Sequence, residues 1–173
     1  MPFLISLSGL PGVGKSTIAK TLCRSLPAVL LRVVSVETAL KRSALKLHAP
    51  EDAGYLALAA IAVGNLELGH KLVTDTVNPV AASRQMWANT AQSAGAALLN
   101  VEIVCLDERE HRNRVENRIS EIDGLLPPRW SEVQNHAYEP WTEHRLQLDS
   151  FALTVDQSVD TILEALTALR QNG

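Results

Sequence analysis

One stretch near the start limits the folds open to this chain more than any other: Phe3-Leu-Ile-Ser-Leu-Ser-Gly-Leu-Pro-Gly-Val-Gly-Lys-Ser-Thr17. Phe3 to Leu7 is a short apolar run of the kind that makes a buried strand. Gly9, four further residues, then Gly14, Lys15 and Ser16 follow the phosphate-binding loop pattern of Gly, four residues, Gly-Lys-Ser/Thr. Ile18 to Leu26 then reads as a helix, and strand, glycine loop and helix together are the context in which that pattern works. Gly9, Gly12 and Gly14 lack a Cβ, so the backbone can turn tightly and aim its N–H groups at phosphate oxygens. The helix opening near Lys15 points unpaired N–H groups and the positive end of its dipole at the same anion. The predicted nucleotide cradle is therefore Gly9, Leu10, Pro11, Gly12, Val13, Gly14, Lys15, Ser16 and Thr17. In it Lys15 supplies a mobile charge for the β- and γ-phosphates, and the Ser16 hydroxyl is a ligand for Mg²⁺. A glycine-rich turn before an ordinary helix is the alternative, and it does not account for the full pattern.

At 173 residues the chain is expected to form a single domain, 1–173, with a core of its own. The formal net charge of −3 gives no global electrostatic reason to expect a nucleic-acid or membrane partner. Cys23 and Cys105 fall in a predicted helix and a predicted strand, lack metal-ligand spacing and read as buried, reduced thiols. The histidines at 48, 70, 111, 136 and 144 show no metal spacing either. Phe3 to Leu7 is too short for a secretory signal, and no apolar run approaches the roughly 20 residues that span a bilayer. A cytoplasmic protein is expected.

Ala28 to Val34 reads as a second buried strand, Ser35 as the cap of a helix from Val36 to about Leu47, and His48 to Asp52 as a break. Ala53 to Leu68 reads as a third helix, and His70 to Val77 as a strand carrying Asp75. A turn at Asn78-Pro79 leads to a helix over Val80 to Ala94, closed by Gly95. Leu98 to Leu106 is the fourth strand, and Asp107 caps a charged helix to about Ser120. After a turn-rich break, a short helix opens at Arg129 and runs to about Ala137, and Leu146 to Leu148 forms the last strand. Thr154 and Gln157 make a capping box for a final helix to about Leu169. Alternating strands and helices call for a parallel, doubly wound α/β sheet, with sites beyond the carboxyl ends of its strands.

That rule singles out further candidates. Asp75, at a strand end, reads as a holder of metal-bound water or an orienter of the attacking hydroxyl, or else as a turn residue. Arg84, with Trp87 three residues on, reads either as an anion contact or as a solvated helical arginine; Trp87 reads first as core. Arg114 and Arg118 are four residues apart before a Gly/Pro break, which suits a lid over about 107–130 that clamps phosphates. The alternative is a solvated face laced with ion pairs.

The chain resembles the bacterial AAA-type predicted kinases of the phosphate-loop kinase superfamily, relatives of zeta-toxin-like, gluconate, shikimate and adenylylsulfate kinases. The resemblance rests on Ser8 to Thr17, on Leu31-Arg-Val-Val-Ser-Val-Glu-Thr-Ala-Leu40, and on Val73-Thr-Asp-Thr-Val-Asn-Pro79 with Arg84 and Trp87. It continues through Asp107 to Arg118, Pro128-Arg-Trp-Ser-Glu-Val133 and Tyr138-Glu-Pro-Trp141. It implies a three-layer α/β/α P-loop NTPase fold with a five-stranded parallel sheet of order 2-3-1-4-5, ATP as donor, and Mg²⁺ held by Ser16 and Asp75. It also implies phosphate-contacting arginines in the lid, matched by Arg114 and Arg118, and lifts Asp75 and Arg84 as site residues. Proteins of this kind usually carry an Asp at the end of the second strand, where this chain has Val34; the nearest acid is Glu37.

The leading expectation is an ATP-dependent phosphotransferase with catalytic residues Lys15, Asp75, Arg84, Arg114 and Arg118, acting on a hydroxyl of a small-molecule acceptor as a monomer or homodimer. The alternatives are an ATP-binding regulatory switch or weak ATPase without transfer, favoured by Val34, and a polynucleotide-end kinase, which the acidic balance argues against.

Overall fold

The computed structural model describes residues 1–44, 49 and 51–171. Its elements run β1 (Phe3–Ser8), α1 (Lys15–Ser25), β2 (Ala28–Arg32), α2 (Val33–Arg42), α3 (Ala53–Glu67), β3 (Lys71–Asp75) and α4 (Ala81–Ser93). They continue with β4 (Ala97–Val104), α5 (Glu108–Glu116), α6 (Trp130–Gln134), β5 (Leu146–Asp149) and α7 (Val155–Gln171). The strands form one sheet of order β2-β3-β1-β4-β5 in which every pairing is parallel, as the resemblance implied.

The central strand explains the layering. All six residues of β1 are buried, because successive side chains point to opposite faces and both faces are covered. Phe3, Ile5 and Leu7 pack with Ile18 and Leu22 of α1 and Ile162 and Leu166 of α7. Leu4 packs on the other face with Leu58 and Leu66 of α3 and Trp87 of α4. Each such apolar side chain taken fully from water contributes about 1.5–3 kcal/mol. Two helix starts behave as their sequences require. Thr154 Oγ1 accepts from Gln157 N (3.2 Å) while Gln157 Oε1 accepts from Thr154 N (2.9 Å), closing the predicted capping box of α7. The Asp107 carboxylate accepts from Glu110 N (2.7 Å) at the start of α5. None of the helices among the described residues is long and apolar enough to cross a membrane.

The structure moves several element boundaries, some with consequences for the site. β2 stops at Arg32 and α2 begins at Val33, so Ser35 lies inside the helix and does not cap it. Val33 is buried among α3 residues, which turns the chain away from the sheet two residues earlier than the apolar run implied. α5 ends at Glu116, where Asn117 bonds back to Asn113, so Arg118 lies beyond the helix and shares no helical face with Arg114. α6 ends at Gln134, three residues short of the expected Ala137. Cys105 falls just past β4, and both cysteines are half-buried, not fully buried. The expected end of the second helix near Leu47, and His48, lie outside the described residues.

Candidate functional site

The carboxyl ends of β1, β2 and β3 open into a cleft of about 650 Å³, within the usual size range of small-molecule sites. Its floor is the glycine loop. Gly9 has φ +136°, and a Cβ there would meet Ile103 O at 2.2 Å, so only glycine lets the loop leave the sheet at this point. Gly12, at φ +86°, passes under α5, where a Cβ would come within 2.4 Å of Val115 Cγ2. Val13 turns into the core, leaving only its backbone to the loop. The loop is pinned from outside as well: His111 Nε2 lies 2.8 Å from Pro11 O, which it reaches as a donor.

Lys15 is folded back onto this loop, its Nζ donating to Gly9 O (2.7 Å) and Leu10 O (2.8 Å). Burial pulls its pKa from 10.5 down to about 8; nearby Asp75 opposes that shift, and Arg118 and Arg32 add to it. Ser16 lies in the first turn of α1 and donates its hydroxyl to Asp75 Oδ2 at 2.6 Å. Asp75, at the end of β3, is 6% exposed. These two hard oxygen donors beside a phosphate loop suit Mg²⁺. A guanidinium already occupies the place of a cation between them: Arg32 Nε donates to Asp75 Oδ2 (3.0 Å) and its Nη2 to Ser16 Oγ (3.1 Å).

Arg114 and Arg118 both line the cleft. Arg114 is held by Glu110 Oε1 (2.7 Å), Ser150 Oγ (2.9 Å) and Ser150 O (3.2 Å), which fixes its guanidinium beside the glycine loop. The irregular segment 117–128 continues along the cleft mouth, with Glu121 ion-paired to Lys20 and the Asp123 carboxylate bonded to Arg42. Val34 and Glu37 of α2 line the opposite wall with Tyr55 of α3. Gly54 makes room for Glu37, since a Cβ there would come 2.7 Å from Glu37 Cγ. Burial raises the Glu37 pKa above the ordinary carboxylate value, with Lys41 opposing. Burial also pushes the Tyr55 phenol up to about 12, so its hydroxyl stays protonated while accepting from Asn78 N at 3.0 Å.

Arg84 is placed differently from its expected role. It sits in the first turn of α4, is 2% exposed and does not line the cleft. Its guanidinium donates to Asn78 O (3.1 Å), Pro140 O (3.1 Å) and Glu139 O, and stacks 4.3 Å from the Trp141 ring centroid. It ties α4 to the 138–141 segment, with its donors turned onto backbone carbonyls away from the cleft. Trp87 is core, as its residue type favoured, with its Nε1 donating to Asn78 Oδ1 (3.1 Å). Sequence reasoning passed over Arg32 and gave Asn78 a place only at the strand end and turn. The signal for Arg32 was a charge inside an otherwise apolar strand run. Asn78 adopts φ +49° and donates its amide to Ser6 and Ser8 of β1, which fixes the loop leaving Asp75.

A model of the AAA domain family matches residues 4–124. Among curated proteins, none matches the sequence. Among solved structures, the chain is similar to the APS kinase of Mycobacterium tuberculosis in complex with AMPPNP and APS: TM-score 0.71, 17% identity, covering 96% of this chain and 98% of that one. It is similar to a gluconokinase from Sinorhizobium meliloti, with TM-score 0.65, 18% identity and coverage of 99% and 95%. It is also similar to Chaetomium thermophilum Kti12 in complex with ADP-AlF3, with TM-score 0.62, 19% identity and coverage of 94% and 98%. At these identities the likeness is one of fold.

Proposed function

The chain belongs to the AAA domain family, and from that premise we propose that it is an ATP-dependent phosphotransferase moving the γ-phosphate of ATP to a hydroxyl of a small-molecule acceptor. The observation that carries this reading is convergence: the glycine loop, Lys15, the Ser16–Asp75 pair, Arg114 and Arg118 all line one cleft. Similar folds that carry the names APS kinase and gluconokinase support it. The proposed setting is the cytoplasm, as a monomer or homodimer.

In this mechanism the loop amides of Gly9 to Thr17 take the phosphates, and Lys15 exchanges its two loop carbonyls for β- and γ-phosphate oxygens. Ser16 and Asp75 would hold Mg²⁺, which when bound neutralises phosphate charge. Arg114 and Arg118 fix the transferring phosphoryl group. The 107–130 region acts as the lid, with 117–128 excluding water as it closes. Arg84 has no part in the chemistry. Asp75 is engaged by Ser16 and Arg32, whereas Glu37 lines the cleft one helical turn from Val34, which supports Glu37 over Asp75 as the acceptor of the proton from the acceptor hydroxyl.

The test is transfer of label from γ-labelled ATP into a pool of hydroxyl-bearing metabolites. A labelled product that disappears in Lys15→Ala is expected; full transfer by that variant refutes the assignment. Val34 favours one second reading, an ATP-binding switch or weak ATPase. ATP consumption indifferent to any acceptor would select it.

Glu37→Gln is expected to lower kcat by about tenfold to a hundredfold. The active form is the carboxylate, so activity in the parent protein falls as pH drops through the raised Glu37 pKa, above the ordinary value of 4.5. That acidic limb should vanish in the Gln variant. A pH profile identical in the two proteins rules Glu37 out as the proton acceptor.

A further inference from the structure

We infer that Arg32 is a resident counter-cation of the Ser16–Asp75 pair, one that must leave Asp75 before a divalent metal can be ligated there. The inference rests on the nucleotide-site reading above and concerns a residue to which that mechanism gives no role.

The geometry is a closed triangle. Ser16 Oγ donates to Asp75 Oδ2, Arg32 Nε donates to the same Oδ2, and Arg32 Nη2 donates to Ser16 Oγ. Asp75 Oδ2 thus accepts two hydrogen bonds, and Ser16 Oγ both donates and accepts. A hard cation bridging Asp75 Oδ2 and Ser16 Oγ, at contacts of about 2.0–2.1 Å, would take the position between those two oxygens that the guanidinium and the hydroxyl proton now fill. This is no loose surface pair: the Arg32 and Asp75 side chains are 13% and 5% exposed. Charge-assisted bonds in such a setting are short, directional and weakly screened. In the resting arrangement Asp75 is therefore neutralised from within, and an incoming phosphate meets no bare carboxylate.

Arg32 also has a second partner within reach. Its Nη1 lies 3.9 Å from Glu121 Oε2, on the 117–128 segment, and Lys20 holds the same carboxylate. A guanidinium leaving Asp75 already has this carboxylate within ion-pair distance. The same side chain then neutralises Asp75 in one position and braces the segment at the cleft mouth in the other.

The test measures metal binding, not turnover. Mn²⁺ is titrated into the full chain with a fluorescent ADP analogue, and bound Mn²⁺ is counted by electron paramagnetic resonance. Removing the competitor with Arg32→Gln is expected to lower half-saturating Mn²⁺ by about tenfold. Removing its landing place with Glu121→Gln is expected to raise half-saturating Mn²⁺ by about threefold. Half-saturation that is unchanged or raised in Arg32→Gln overturns the proposal. If Arg32→Gln does not fold, the exposed Glu121 position decides, and an unchanged or lowered value there overturns it. Failure of the wild-type chain to bind the ADP analogue at all refutes the nucleotide site itself, and the inference with it.

Discussion

Lys15→Met is expected to abolish function and at the same time to stabilise the nucleotide-free protein slightly. Loss of the ammonium should weaken ATP binding at least about a hundredfold, since the phosphates lose their only mobile charge on the loop. The stabilisation comes from the same burial. A pKa drawn from 10.5 to about 8 means that the folded state disfavours the charged form, by a ceiling of about 3 kcal/mol. The two carbonyl bonds that the Lys15 ammonium makes offset at least about 1.5 kcal/mol each when lost, so the net gain at pH 7 is below about 1 kcal/mol. The sign can be checked by pH. Between about 8 and 10.5 the native state holds fewer protons than the unfolded chain, so wild-type stability rises with pH across that window. The penalty is complete below about pH 8 and fades towards 10.5, so the advantage of the Met variant should shrink over the same interval. Urea unfolding at pH 7 and pH 10 measures both; a Met variant less stable than wild type at pH 7 contradicts the argument.

Arg84→Ala should do the opposite, collapsing stability while sparing the chemistry. Three backbone carbonyls, of Asn78, Glu139 and Pro140, would lose their donor, and Trp141 and Tyr138 would lose the cation stacked on them. Leaving the buried Asn78 carbonyl unpaired, handing the two at Glu139 and Pro140 to solvent and removing two ring contacts amounts to about 2–4 kcal/mol. Arg84→Lys should recover little, because an ammonium cannot serve three carbonyls in the directions a guanidinium does. Equilibrium unfolding gives the loss. Turnover measured below the lowered transition should keep the wild-type kcat; lost turnover at unchanged stability would restore Arg84 to the anion-binding role that its sequence position implied.

The contrast between Lys15 and Arg84 shows where sequence reasoning holds. Lys15 belongs to a contiguous loop whose conformation is set by its own glycines and the strand and helix beside it, so nine adjacent letters were enough to put it in the cleft. Arg84 was assigned from its distance past a strand end, and that distance is silent about direction. The chain from 138 to 141 offers its carbonyls and rings on the inner side of α4, and the guanidinium takes them. Arg118 was expected on a shared helical face with Arg114. It reaches the cleft by another route, because Asn117 ends α5 and the chain bends over the mouth.

By itself the sequence determined what depends on neighbours: the glycine loop, the alternation of strands and helices, the caps at Asp107 and Thr154, and the burial of β1 on both faces. These follow from hydrogen bonding and hydrophobic period within a few residues, which a linear pattern records. Only the tertiary structure decided what joins residues distant in the chain. Ser16 meets Asp75 across 59 positions and Arg32 meets it across 43, because β2, β3 and the start of α1 end at the same edge of one parallel sheet. Strand order and register set those meetings. They are fixed by packing over the whole core, so no local pattern announces that the charge in the second strand closes on the acid at the end of the third.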